Sequence, residues 1–205
     1  MKLYIMRHGE TLWNQARRLQ GCSDIALNEN GITLAKAVGE KLRSVELHRA
    51  FTSPLKRARD TAEYVIGSRN IPLCEDERIK EISFGVWEGC CILKDRAEVP
   101  MEQFEYFINA PSRYVPPEGG ESIQSLYTRT GRFVRELMDT DEYQNENILI
   151  TAHGAAVRAM MYNLQPVEED NFWRGTVPPN CSLNIAEIIS GEVISLQQDV
   201  IYEQL

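Results

Sequence analysis

Lys2 to Met6 is a short apolar run that stops abruptly at Arg7-His8-Gly9, and Asn147 to Ala152 is a second that stops at His153-Gly154. Continuous apolar runs of this length, each cut off by a polar turn, predict buried strands. Arg49 to Thr52 is a weaker third, ending at Ser53-Pro54. Ser suits a helix N-cap and Pro a first helical residue, so a helix is predicted over Leu55 to Ile66. Thr33 to Val45 and Ile123 to Met138 repeat apolar residues at helical spacing, the second following the turn Pro116 to Gly120 with Ser122 as N-cap. Ser182 to Ile189 and Glu192 to Gln198, split by Ser190-Gly191, read as a hairpin that adds an antiparallel edge. Cys90 to Pro117 carries no clean period and reads as a helical excursion over whatever the strand ends hold.

Strand and helix alternate, which predicts an α/β fold whose helices carry the crossovers between parallel strands. Ligands in such sheets bind beyond the carboxyl ends of the strands, where all three polar turns lie. The chain has 205 residues, 43% of them hydrophobic, enough for a sizeable core in a single domain over 1–205. No repeat or low-complexity linker divides it. The longest apolar runs fall short of the roughly 20 residues that cross a bilayer, and no signal peptide is visible, so no membrane partner is expected. Five cysteines with no CxxC pair argue against a disulfide framework and against a thiolate metal site. A reducing cytoplasm is the expected location. A net charge of -8 excludes the usual nucleic-acid surface, which needs Lys and Arg to displace counterions. Affinity for a small anion must then be local.

Only three histidines are present, and His8 and His153 both stand after an apolar strand and before a glycine. A lone histidine at a strand end is ordinarily a satisfied structural residue; two placed alike point to chemistry. Glycine there lets a ligand approach main-chain N–H groups, and a helix starting after His153 would aim its positive end at the same space. His48, in a charged stretch, reads as surface. Arg7 and Arg57 offer planar forks of donors that match phosphate oxygens and stay charged. Arg57 alone would pass for a solvated helix residue like Arg59; beside His8 it reads as a ligand group. Glu81 lies among Ile82, Phe84 and Trp87, surroundings that disfavour a carboxylate and suit a proton donor. Glu88 competes for that role, and the residues alone do not separate the two.

Five collinear blocks resemble the histidine phosphatase superfamily, the phosphoglycerate-mutase-like group. They are Arg7-His8-Gly9-Glu10-Thr11-Leu12-Trp13-Asn14; Arg18-Leu19-Gln20-Gly21 with Asp24 and Leu27 to Gly31; Thr52 to Ala58 with Thr61-Ala62-Glu63; Glu81 to Gly89; and His153-Gly154 with Arg158. Gly119 to Ser122 and Asn180-Cys181-Ser182 are similar to further family segments. The resemblance implies a three-layer α/β/α sandwich on a mainly parallel sheet. It implies His8 as phosphohistidine nucleophile, Arg7, Arg57 and His153 as phosphate clamp, and Glu81 rather than Glu88 as general acid and base. Asn14, Gln20, Gly21 and Gly154 would line the pocket, with no metal and no cofactor.

The expected activity is hydrolysis of a small phosphate ester. Phosphoryl transfer asks for positioning and charge stabilisation, which two Arg and a His supply without metal. A mutase is the first alternative, and the short chain, with Phe84 to Gly89 in the phosphatase form, speaks against it. A non-catalytic phosphate-binding module is the second, and retention of every catalytic residue type speaks against that. Met101, Phe104, Tyr106, Phe107 and Tyr114 either cap a substrate or pack the excursion onto the domain. Oligomeric state is not legible.

Overall fold

The computed structural model describes residues 1–204. Among them six strands, β1 (Lys2–Arg7), β2 (Arg49–Thr52), β3 (Leu73–Glu75), β4 (Asn147–Ala152), β5 (Leu183–Ile189) and β6 (Glu192–Val200), form one sheet in the order β3-β2-β4-β1-β5-β6. β1 to β4 run parallel, β5 antiparallel to β1, and β6 antiparallel to β5. The helices are α1 (Leu12–Gln15), α2 (Glu29–Lys41), α3 (Lys56–Ile66), α4 (Met101–Asn109), α5 (Ile123–Asp139) and α6 (Gly154–Leu164).

Side chains alternate across a strand, so β1 and β4 serve two cores at once. Leu3 and Ile5 pack with Ile148 and Ile150 beneath α5 and α6. Tyr4 and Met6 pack with Leu149 beneath α2 and α3. Coverage on both faces is why these strands read as continuous apolar runs rather than alternating ones. Each fully buried Leu or Ile contributes about 1.5–3 kcal/mol, enough to hold the strand ends rigidly under the site. The result is the expected three-layer α/β/α architecture.

Several boundaries differ from expectation. α2 begins at Glu29 instead of Thr33, because the Asn28 side chain accepts from Gly31 N at 2.8 Å and caps it. α3 begins at Lys56, and Ser53 is not its N-cap: Leu55 holds that position without a side-chain bond, while Ser53 Oγ turns to other partners. β3, only three residues and mostly exposed, had no pattern to announce it. α5 is capped by Ser122 as predicted, its hydroxyl accepting from Ser125 N at 3.1 Å. The hairpin turns on Ser190 and Gly191, with φ of 51° and 79°, the doubly positive pair that tight hairpins require. All five cysteines are free. Among the described residues no helix is long and apolar enough to cross a membrane.

Candidate active site

Arg7 ends β1 and His8 follows it, its N–H still donating to Ala152 O of β4 at 2.9 Å. The imidazole is buried, and Nδ1 lies 2.6 Å from Gly9 O. A carbonyl accepts only, so the proton sits on Nδ1 and Nε2 carries the lone pair. Arg57 Nε reaches that Nε2 at 3.3 Å. Burial first, then the charges of Arg57 and Arg7, hold His8 well below the usual histidine range, so the ring is neutral at pH 7. The turn beneath it is tight: a Cβ on Gly9 would lie 2.7 Å from Gly31 O. Gly9 N donates to Thr61 Oγ1 at 2.9 Å, and Asn180 Nδ2 to His8 O at 2.9 Å.

Arg57, in the first turn of α3, is fully buried and unlike the exposed Arg59. Its Nη1 and Nη2 donate to Ser23 O and Gly21 O, both at 2.7 Å, and burial pushes its guanidinium down to about 10. Arg7 Nη1 donates to Pro178 O at 2.5 Å, while its Nε is buried with no partner. Arg158 steadies the same segment by donating from Nη2 to Thr176 O at 2.9 Å and to Asp199 at 2.6 Å. His153 is fully buried, its ring centroid 5.2 Å from that of His8. Its Nε2 lies 2.8 Å from Ser53 Oγ, and its Nδ1 has no partner. Burial, then Arg57, hold this ring too well below the ordinary range.

Glu81 is half-buried, and backbone N–H groups meet its carboxylate. Its Oε1 accepts from Ile82 N at 3.0 Å and Ala156 N at 3.1 Å, its Oε2 from Ala155 N at 3.2 Å. Two of the N–H groups in the first turn of α6, those of Ala155 and Ala156, therefore hold Glu81. Gly154 is the meeting point: a Cβ there would lie 3.2 Å from Val177, 3.6 Å from Glu81 Oε2 and 3.8 Å from Arg7 Nε. Glu88 is engaged elsewhere, accepting from Cys22 N at 2.8 Å, Phe84 N at 3.2 Å and Ser23 Oγ at 2.6 Å. It fixes the loop whose carbonyls receive Arg57. A Cβ on Gly21, at φ 51°, would fall 2.2 Å from Glu88 Oε1.

Arg7, His8, Asn14, Gln20, Gly21, Arg57, Glu81 and Gly154 line one cavity of about 500 Å³ at the carboxyl edge of the sheet. His153 alone of the expected residues stands behind the wall. Asn14 Oδ1 and Gln20 Oε1 both receive the Thr11 hydroxyl, at 3.1 and 3.0 Å. Phe104, Phe107 and Trp173 form the far wall and pack on one another, so these aromatics both cap the cavity and anchor α4. A wider depression of about 860 Å³ at the opposite edge, around Met1, Glu146 and Glu187, contains none of these groups. Among the described residues no three His, Cys, Asp or Glu side chains gather to hold a metal ion. Ser53, Thr61, Pro178 and Asn180 support the site through hydroxyl, carbonyl or amide contacts.

Relatives share the chain along most of its length. Phosphoserine phosphatase 1 of Hydrogenobacter thermophilus is 32% identical over 84% of this chain and 80% of its own. The solved structure of Bacillus stearothermophilus YhfR is 34% identical, covers 98% of this chain and 97% of that one, and superposes with a TM-score of 0.89. A 2,3-bisphosphoglycerate-dependent phosphoglycerate mutase of Brucella anthropi is 30% identical over 79% of this chain and 80% of its own, so the two are of near-equal length. Chain length therefore does not argue against a mutase, contrary to the expectation above. The model of the histidine phosphatase superfamily, branch 1, matches residues 3–198, and this chain belongs to that family of enzymes.

Proposed function

We propose that the chain is a metal-independent phosphomonoesterase that acts on a small phosphorylated metabolite through a phosphohistidine on His8. One observation carries the reading. A buried neutral imidazole, tied through Nδ1 to Gly9 O, carries its lone pair on Nε2 beside Arg57 Nε, and on the same cavity the buried Nε of Arg7 is a donor with no partner. A donor left open in such a place suits the oxygens of a phosphoryl group. In the first step Nε2 attacks phosphorus in line, the P–N bond forms, and the P–O ester bond breaks as Glu81 gives a proton to the leaving alkoxide. Water then attacks, Glu81 takes its proton, the P–N bond breaks, and inorganic phosphate leaves. Arg7, Arg57 and His153 stabilise the charge spread over the phosphoryl oxygens. Five free thiols accord with a reducing cytoplasm.

A second reading, return of the phosphoryl group to another hydroxyl of a bound sugar acid, rests on the 30% identity to a mutase relative of near-equal length. The discriminating experiment screens phosphorylated metabolites for phosphate release with chelator present, beside an assay for isomerised product. Wild-type protein should release phosphate and carry an acid-labile phosphate on His8, and folded His8→Ala should do neither. Phosphate release by folded His8→Ala, or restoration by metal of a chelator-sensitive rate, would overturn the reading; isomerisation without net release would select the mutase.

A further inference from the structure

Arg17 occupies a conformation that suits glycine. The end of α1 closes with Arg18 N donating to Trp13 O at 2.8 Å and Arg17 N to Asn14 O at 3.1 Å, the paired bonds of a Schellman cap, and Arg17 stands at its left-handed position with φ 54°. A side chain there is strained, and the cap itself makes no use of it. This side chain lines the cavity that holds His8 and Glu81. Among the described residues no carboxylate pairs with it. Its neighbour Arg18 is committed, donating to Gly89 O and pairing with Glu98 at 3.0 Å. The cavity wall thus carries Arg7, Arg17, Arg18 and Arg57 against Glu81 alone, in a chain whose net charge is -8. The charge of Arg17 also bears on Arg7, helping burial to lower that guanidinium.

A phosphoryl dianion is met at one end of the cavity by Arg7 and Arg57, which leaves Arg17 as a surplus cation. One guanidinium matches one carboxylate fork to fork, whereas a second phosphoryl group would call for a pair of cations such as the first one has. We propose that Arg17 is a specificity-determining residue that receives a carboxylate at the non-reacting end of the substrate, which makes the substrate class phosphate monoesters of small organic acids. The assignment rests on the phosphate end binding at His8, as set out above, and not on the fate of the phosphoryl group.

Binding therefore tests it apart from turnover. Calorimetry on the His8→Ala background compares 3-phosphoglycerate with glycerol 3-phosphate, and phosphoserine with phosphoethanolamine; within each pair the second lacks the carboxylate. The acid should bind about tenfold tighter or more in at least one pair. Arg17→Gly, which relieves the backbone, should bring that ratio below about twofold, and Arg17→Lys should restore part of it. No preference in either pair, or an equal loss of both partners on Arg17→Gly, overturns the proposal. In the His8 protein, a retained binding preference without phosphate release would defeat the phosphatase reading alone, and release without preference would defeat the Arg17 assignment alone.

Discussion

Glu81 accepts from three backbone N–H groups at the start of α6, whereas Glu88 accepts from Cys22, Ser23 and Phe84 and never reaches the cavity. Sequence context made the two equal, because apolar neighbours in the chain say nothing about which loop a carboxylate will face. If Glu81 protonates the leaving oxygen, Glu81→Gln should slow hydrolysis of alkyl phosphates by about 10²–10⁴. With p-nitrophenyl phosphate, whose leaving group needs little protonation, the rapid-quench burst of p-nitrophenol should survive while steady-state turnover is lost, since water attack uses the same residue. An equal loss of phosphorylation rate for both substrates would make Glu81 a shaping residue only. The basic residues and imidazoles of the site were legible because Arg7, His8 and His153 stand where apolar strands stop, and Arg57 follows Ser53-Pro54 closely. Ser53 was misread: a Ser before Pro looks like an N-cap, and nothing local reveals that its hydroxyl is drawn 2.8 Å from His153 across the sheet.

At the level of elements, legibility followed burial. β1 and β4 are covered on both faces and announce themselves as unbroken apolar runs, and α5 carries Leu126, Phe133, Val134 and Leu137 on one buried stripe. β3 is short and open, so no pattern constrains its residues. α2 began early because capping by Asn28 extends a helix through residues that resemble a polar turn. The hairpin was readable from Ser190-Gly191, whose φ of 51° and 79° Asn-Gly would satisfy better. Ser190→Asn should then stabilise by roughly 0.5 kcal/mol and raise the melting temperature by about 1–2 °C. The turn borders the depression opposite the site, so the phosphatase rate should not change. A lower melting temperature would show that the turn is set by something other than its own backbone.

The whole molecule is acidic, yet it gathers the buried Arg57, His8 and His153 and the half-buried Arg7 in one cluster at the cavity. Desolvation holds His8 and His153 well below their ordinary range, so the folded state refuses protons that the unfolded chain accepts near pH 6.5. The sign follows: where the unfolded state binds more protons, stability falls as pH falls. Stability should be insensitive to these two groups above about pH 7 and decline below about 6.5, each contributing about 1.4 kcal/mol per pH unit until its folded form also protonates. The general charge works the other way, since titrating surface carboxylates relieves a net charge of -8. The comparison that isolates the cluster is wild type against His8→Ala in urea melts between pH 7.5 and 5.5. His8→Ala should flatten the decline by roughly half, because one of the two proton-refusing rings is gone. Inorganic phosphate, as a bound anion, should stabilise the wild type at pH 7.5 in proportion to its occupancy. Parallel pH curves for the two proteins, or no gain from phosphate, would mean that the cluster is neither as desolvated nor as open to an anion as its geometry requires.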